Sequence, residues 1–191
     1  MAQHRQDPAR TREYLVPTAW GAAVLTARGD DIVRLRPPLG DVPPGAAGLP
    51  RATATDAPAA VQDLAAALGA YLDGEPVELA PRAVVEQWLT AAGVAGFRRD
   101  LSLALFAVPR GMTLAYGELA TLAGRPGAAR AAGSTCARNP LPIIIPCHRV
   151  VHAGARRGDV GSYGAATGSD YKRRLLELED AALVRVAHPG T

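Results

Sequence analysis

Cysteine and histidine stand next to one another at Cys147 and His148, directly after the run Leu141-Pro142-Ile143-Ile144-Ile145-Pro146. The thiolate is the reactive form of cysteine, and a free thiol with a pKa of about 8.5 is only a few per cent ionised at neutral pH. Nucleophilic work therefore needs a base or a field beside the sulfur, and His148 is a candidate base. An apolar, β-branched run between prolines predicts an extended, buried segment that delivers the pair where it ends. The same residues fit a buried structural thiol beside a hydrogen-bonded histidine, and the pair alone leaves both readings open. The other cysteine, Cys136, reads as a small packed residue, and two cysteines are too few for a disulfide framework. His4, His148, His152 and His188 form no Cys/His cluster with ligand spacing, so no metal and no other cofactor is expected.

The elements that must hold this segment are helical. Residues 97–108 carry Leu101, Leu105 and Val108 at helical spacing and end at Pro109-Arg110-Gly111. Residues 113–123 predict a short helix with Leu119, Leu122 and Ala123 inward. Gly124-Arg125-Pro126-Gly127 is a tight turn, and residues 128–138 predict a second short helix that Asn139-Pro140 stops. Helix, short turn, helix is the layout of a helix-turn-helix, and of many helical hairpins besides. The second helix, AARAAGSTCAR, has almost no bulk and sets Arg130, Ser134 and Arg138 on one face. That suits close approach to a DNA groove, or equally tight packing on the protein's own core with the arginines in water. A final helix capped by Ser169 would put Lys172, Leu175, Leu176, Glu179 and Leu183 on one face. A carboxylate among leucines is costly unless paired, which makes a histidine partner for Glu179 reasonable.

The first half reads differently. Residues 1–13 look like a flexible arm. Residues 14–19, 22–28 and 31–36 predict short strands with turn signals at Trp20-Gly21 and Gly29-Asp30, a small antiparallel meander. The Pro-, Gly- and Ala-rich stretch 37–58 predicts a loop. Asp56 is placed to cap a helix over 57–72 with Val61, Leu64, Ala65, Leu68 and Tyr71 or Leu72 on one face. Val84, Val85, Trp88 and Leu89 mark another helix that stops near Gly93. The expected fold class is α+β: an N-terminal scaffold domain over 14–93, and a helical C-terminal domain over 97–186 with a helix-turn-helix and Cys147.

With 191 residues and 48% apolar content the chain fits one ordinary domain or two small ones. No apolar run approaches the roughly 20 residues that cross a bilayer, and the N-terminal MAQHRQDPARTREY is polar, so a cytoplasmic protein without membrane contact is expected. The net charge of +3 divides unevenly. Residues 1–96 hold 8 Arg and 11 acidic residues, net −3; residues 97–191 hold 12 Arg, 1 Lys and 7 acidic residues, net +6. A basic C-terminal half points to a polyanionic partner. Lys172 is the one lysine, a bias that GC-rich coding alone would produce.

The string IPCHRVV, preceded by Asn139-Pro140 and by the Ala-Tyr-Gly-Glu-Leu-Ala and Ala-Ala-Arg-Ala-Ala-Gly segments, resembles the O6-alkylguanine-DNA alkyltransferase family, the methylated-DNA–protein-cysteine methyltransferases. The likeness is dense from about Phe97 to Glu179, nearly half of the chain. The resemblance implies a ribonuclease-H-like N-terminal domain and a single-turnover repair transferase. Cys147 would take an alkyl group from O6 of guanine in double-stranded DNA, with O4-alkylthymine or bulkier adducts as further substrates. It implies that His148 polarises the thiol through a water, that Glu179 orients His148, that Tyr116 assists guanine as leaving group and that Asn139 braces the active-site turn. Arg130 matches a finger that enters through the minor groove and fills the gap left by a flipped nucleotide. Thr113, Ala131, Ser134 and Arg138 are the further expected DNA contacts, weakly dependent on sequence. Pro142, Arg149, Val150, Ser162, Tyr163 and Gly164 are expected to line the substrate pocket, in a protein monomeric on DNA.

Three departures from the family pattern stand out. Ser102 stands where a Trp is usual, and the segment HAGARRGD over 152–159 is longer and more basic than usual. Gly161-Ser162-Tyr163-Gly164-Ala165-Ala166-Thr167 alters the wall of the alkyl pocket, which points to bulky adducts being accepted at least as well as methyl. The Ser usual before the motif tyrosine is Ala115, one helix cap fewer. Two rivals remain: a lesion-binding relative that does not transfer, and a transcriptional regulator using the helix-turn-helix. A cysteine hydrolase fits poorly, because no oxyanion-forming glycine turn accompanies Cys147.

Overall fold

The computed structural model describes residues 10–155, 160–161 and 164–180, of which 164–167 by backbone alone. Two compact units form, Met1–Gly93 and Val94–Thr191.

In the first unit, strands β1 (Arg12–Thr18), β2 (Gly21–Arg28) and β3 (Asp31–Arg36) make an antiparallel sheet in sequence order. Alternation puts one face inward: Tyr14 pairs with Leu25 and Val16 with Ala23, all four buried. The hairpin between β1 and β2 depends on Gly21, whose φ is 110° and whose Cβ, if present, would lie 1.8 Å from the carbonyl oxygen of Gly40. The loop at Gly40 closes on this point through hydrogen bonds to Trp20 and Ala22. Helix α1 (Ala59–Leu72) buries Val61, Leu64, Ala65, Leu68, Tyr71 and Leu72, the face its periodicity predicts. It starts after Pro58 with no side-chain cap, so the expected Asp56 cap does not form. The Pro58 carbonyl accepts the Val61 and Gln62 N–H groups, so a first-turn donor that a side-chain cap would take is met by the backbone. Helix α2 (Arg82–Ala91) buries Val85, Trp88 and Leu89, and the Trp88 indole donates to the Asp30 carbonyl at 3.2 Å, pinning the helix to the β2–β3 turn.

The second unit contains α3 (Phe97–Phe106), β4 (Leu114–Ala115), α4 (Tyr116–Leu122), α5 (Ala129–Ala137), a 3-10 turn (Cys147–Arg149), β5 (Val150–Val151) and α6 (Gly164–Leu178). Helices α3, α4 and α5 pack on one another. The short helix expected over 113–123 begins later. Leu114 and Ala115 are extended and pair in parallel with Val150 and Val151, because the pairing gives buried backbone groups their partners. Glu118 compensates for the missing serine cap: its carboxylate reaches back to accept the Ala115 N–H at 2.5 Å. Leu122, expected inward, is 51% exposed. The run 141–145 is buried but not extended. It forms a turn closed by Ile145 N–H to Leu141 carbonyl at 2.8 Å, with Ile143 in the left-handed region at φ 75°. Helix α6 is broken at Gly168 (φ 64°, ψ 177°), so its regular part begins beside Ser169, as expected, but it ends at Leu178, one residue before Glu179. Leu183 lies outside the described residues. No helix among the described residues is long and apolar enough to cross a membrane.

Candidate active site

Cys147 opens the 3-10 turn and is 5% exposed. Asn139, just past α5, holds this turn from behind. Its Nδ2 donates to the Ile145 carbonyl at 2.7 Å and to the Cys147 sulfur at 3.1 Å, while its Oδ1 accepts the Leu141 N–H at 3.0 Å. One side chain thus closes both ends of the 141–145 turn and touches the sulfur. A β-branched residue at positive φ is strained, and this clamp together with the burial of Ile143 is what holds it there.

His148 is fully buried and its Nε2 lies 3.0 Å from Oε1 of Glu179. Burial pushes the imidazole below its ordinary pKa, although the Glu179 hydrogen bond and charge pull the other way. At neutral pH it is therefore uncharged, with the proton on the nitrogen facing the carboxylate and Nδ1 carrying the lone pair. Arg149 adds a fork to the same carboxylate, Nε to Oε2 at 3.0 Å and Nη2 to Oε1 at 2.7 Å, and its Nη1 donates to the Val108 carbonyl. Burial alone would raise the Glu179 carboxyl, but the hydrogen bonds from His148 and Arg149 outweigh it and hold the group well below the usual carboxylate range.

Tyr116 opens α4 immediately after β4, and the β4–β5 pairing brings it to the segment that leaves the cysteine turn. Its phenol is raised above its ordinary value, first by burial and then by charge on Cys136 and Cys147, so it keeps its proton at neutral pH. Its ring lies over Gly133 of α5, where an added Cβ would stand 3.8 Å from the ring carbons. The Cys136 thiol is pushed up to about 12, mainly by burial, which leaves it inert. Among the described residues no three His, Cys, Asp or Glu side chains gather as a metal site would require.

Residues 96–181 match the family model described as 6-O-methylguanine DNA methyltransferase, DNA binding domain. A methylated-DNA–protein-cysteine methyltransferase of Mycolicibacterium paratuberculosis is 40% identical over 125 residues, which take in 65% of this chain and 68% of that protein. The chain belongs to the methylated-DNA–protein-cysteine methyltransferase family. A Salmonella typhimurium methyltransferase is 42% identical over 102 residues, 53% of this chain and 57% of that protein, so the chain spans little more than half the length of this relative. Among solved structures, the Mycobacterium tuberculosis O6-methylguanine methyltransferase aligns over 91% of this chain and 95% of its own with a TM-score of 0.64 and 29% identity. Mycobacterium tuberculosis OGT in complex with DNA aligns over 88% of this chain and 92% of its own, at TM-score 0.64 and 30% identity.

Set against the residues expected of a methyltransferase of this family, the structure brings Cys147, His148, Glu179 and Asn139 together by hydrogen bonds in pairs. On α5, Arg130, Ala131 and Arg138 are exposed and Ser134 is half-buried. The Arg138 guanidinium donates to the Ser134 hydroxyl. Thr113, expected at the DNA surface, is 1% exposed and sits in the core of its unit. Arg149, expected in the substrate pocket, is turned to Glu179 instead, because a buried carboxylate beside a histidine needs a second partner. Pro142 is half-buried and Val150 fully buried; Gly164 begins α6, and Ser162 and Tyr163 lie outside the described residues. The reading of the sequence did not find Arg149 as a partner of Glu179. Nor did it find that Lys172, on the apolar face it did recognise, is 0% exposed.

Proposed function

We propose that this protein repairs DNA by taking an alkyl group from O6 of guanine onto Cys147, once per molecule. The observation that supports this most is the chain of contacts at one buried turn: Asn139 on the sulfur, His148 next to it, and Glu179 with Arg149 holding the imidazole by Nε2. With Nε2 committed to Glu179, Nδ1 is the nitrogen that accepts the thiol proton, directly or through a water. The thiolate then attacks the sp³ carbon in line. The S–C bond forms, the C–O6 bond breaks, and its electron pair passes to guanine, which takes up a proton with the Tyr116 phenol as donor. No group returns the thioether to a thiol, so the protein is consumed.

A base inside the duplex is beyond the reach of a sulfur that is 5% exposed, so the nucleotide is flipped. We read α4 and α5 as a helix-turn-helix whose small-residue second helix lies in the minor groove. Arg130 enters the stack, and Ala131, Ser134 and Arg138 lie along the backbone, as a monomer with little sequence preference. The first unit serves as a scaffold of ribonuclease-H-like type. The altered segment 161–167 supports acceptance of bulky adducts at least as well as methyl, and a clear preference for methyl over benzyl donors in competition would remove that part of the reading. The main test is intact mass after incubation with duplex DNA containing O6-methylguanine: a gain of one methyl, absent in Cys147→Ala. Lesion-selective binding without mass gain would make the protein a sensor, and binding indifferent to the lesion would make it a regulator.

A further inference from the structure

Glu179 holds His148 from an insecure place. It lies one residue past the end of α6, where helices fray and the last carbonyls lack partners within the helix. Its N–H still reaches the Leu175 carbonyl at 3.2 Å, and Asp180 after it turns into the left-handed region at φ 50° with its N–H on the Glu177 carbonyl. The carbonyl of Leu178, the last helical residue, is met from far along the chain: Nη2 of Arg110 donates to it at 2.8 Å.

Arg110 stands in the turn between α3 and β4, which Met112 N–H closes on the Pro109 carbonyl at 3.2 Å. Gly111, at φ 78°, comes so near the same helix end that an added Cβ would stand 3.3 Å from the Glu179 carbonyl oxygen. Val108, just before the turn, offers its carbonyl to Nη1 of Arg149, the guanidinium that forks onto Glu179. The segment 108–111 therefore grips both the backbone that carries the carboxylate and the partner of its charge. A half-buried cation at a helix C-terminus is also favoured by the helix dipole. The charges that bear on His148 are those of Glu179, Arg149 and Lys172. Arg110 is not among them, so what it does to the imidazole it does through the place where Glu179 is held. The tolerance is small: the His148–Glu179 contact is 3.0 Å long, and a misplacement of about 1 Å at a reacting group costs about 100-fold in rate.

We propose that Arg110 is a positioning residue for alkyl transfer: by capping the end of α6 it keeps Glu179 within hydrogen-bond distance of His148, so that the imidazole can take up the thiol proton. The proposal rests on Cys147 being the acceptor and His148 its base.

Arg110→Met keeps an apolar stem and removes the donor. A displaced Glu179 stabilises the imidazolium less, so the pH profile of iodoacetamide alkylation at Cys147, read by peptide mass with Cys136 counted apart, should move to higher pH. Methyl transfer from duplex DNA containing O6-methylguanine should slow by about tenfold. In a Glu179→Gln background, where no carboxylate is left to position, the same substitution should leave the inflection in place and change the rate by less than about twofold. An unmoved inflection in Arg110→Met, or equal losses in both backgrounds, would reduce Arg110 to a helix cap and overturn the proposal. Should Arg110→Met not fold, Gly111→Ala, which presses a methyl on the same helix end, must move the inflection the same way, and a wild-type profile there would also overturn it. A wild type that takes no methyl from DNA would refute the function instead, and the iodoacetamide profiles, which need no DNA, would still decide the part of Arg110.

Discussion

Glu179→Gln preserves shape and removes the charge that His148 and Arg149 share. The carboxylate side chain is 0% exposed and that of Arg149 is 11% exposed, so the partner left behind has little water to turn to. Removing one member of a buried pair costs about 3–5 kcal/mol, and because the amide carbonyl still accepts one of the bonds the lower end, about 3 kcal/mol, applies. With a urea m-value of about 2 kcal/mol/M the midpoint at pH 7 falls by about 1.5 M. The pH dependence has a definite sign. The folded carboxyl is held below its ordinary value, so its stabilisation is complete above the unfolded pKa of about 4.3 and drains away as the pH falls below it. The gap between wild type and variant should therefore hold from pH 7 to 5 and shrink by roughly 2 kcal/mol by pH 3. Urea titrations followed by far-UV circular dichroism at three pH values measure this. Equal midpoints at pH 7, or a gap that does not depend on pH, would show that the ion pair does not hold the site together. Alkylation of Cys147 by O6-methylguanine DNA should slow in the same variant, since the imidazole loses the negative charge that stabilises it when it takes up the thiol proton.

Asn139→Ala takes the acceptor from the Leu141 N–H and one of two donors from the Ile145 carbonyl, and should cost about 1–3 kcal/mol in urea unfolding while slowing alkyl transfer. Gly21→Ala puts a methyl 1.8 Å from the Gly40 oxygen at a φ of 110°, and should destabilise the first unit by more than about 3 kcal/mol; a melt within a few degrees of wild type would contradict this close approach. Arg130→Ala should reduce repair of duplex DNA far more than reaction with the free base O6-benzylguanine, and equal losses would remove its role in flipping.

Local pattern carried much of the fold. The face of α1 follows from the spacing of Val61, Leu64, Leu68 and Leu72, and β3 is where alternation and the Gly29-Asp30 turn put it. Expectations missed where a partner that local pattern does not reveal changed the outcome. Leu114 and Ala115 looked helical and became a strand because Val150 and Val151 lie beside them. The run 141–145 looked extended, as β-branched residues favour, and became a turn because Asn139 clamps both of its ends. Thr113 was placed on the surface by its neighbourhood in sequence, while packing put it inside.

By itself the sequence determined the chemistry on offer: a thiol with an adjacent histidine, an asparagine eight residues before it and a small-residue helix bearing arginine. These are relations within a few turns of chain, where spacing and residue type are enough. Only the tertiary structure decided the charges around that thiol. Arg149 neighbours His148 in sequence, yet its duty is set by a carboxylate 30 residues away. Lys172 reads in the sequence as a polar residue on an apolar stripe, and becomes a buried cation bonded to the Val150 carbonyl only when α6 packs on the cysteine turn. Burial and the company of other charges fix whether an ionisable group is charged, and both are properties of the packed molecule rather than of any stretch of chain.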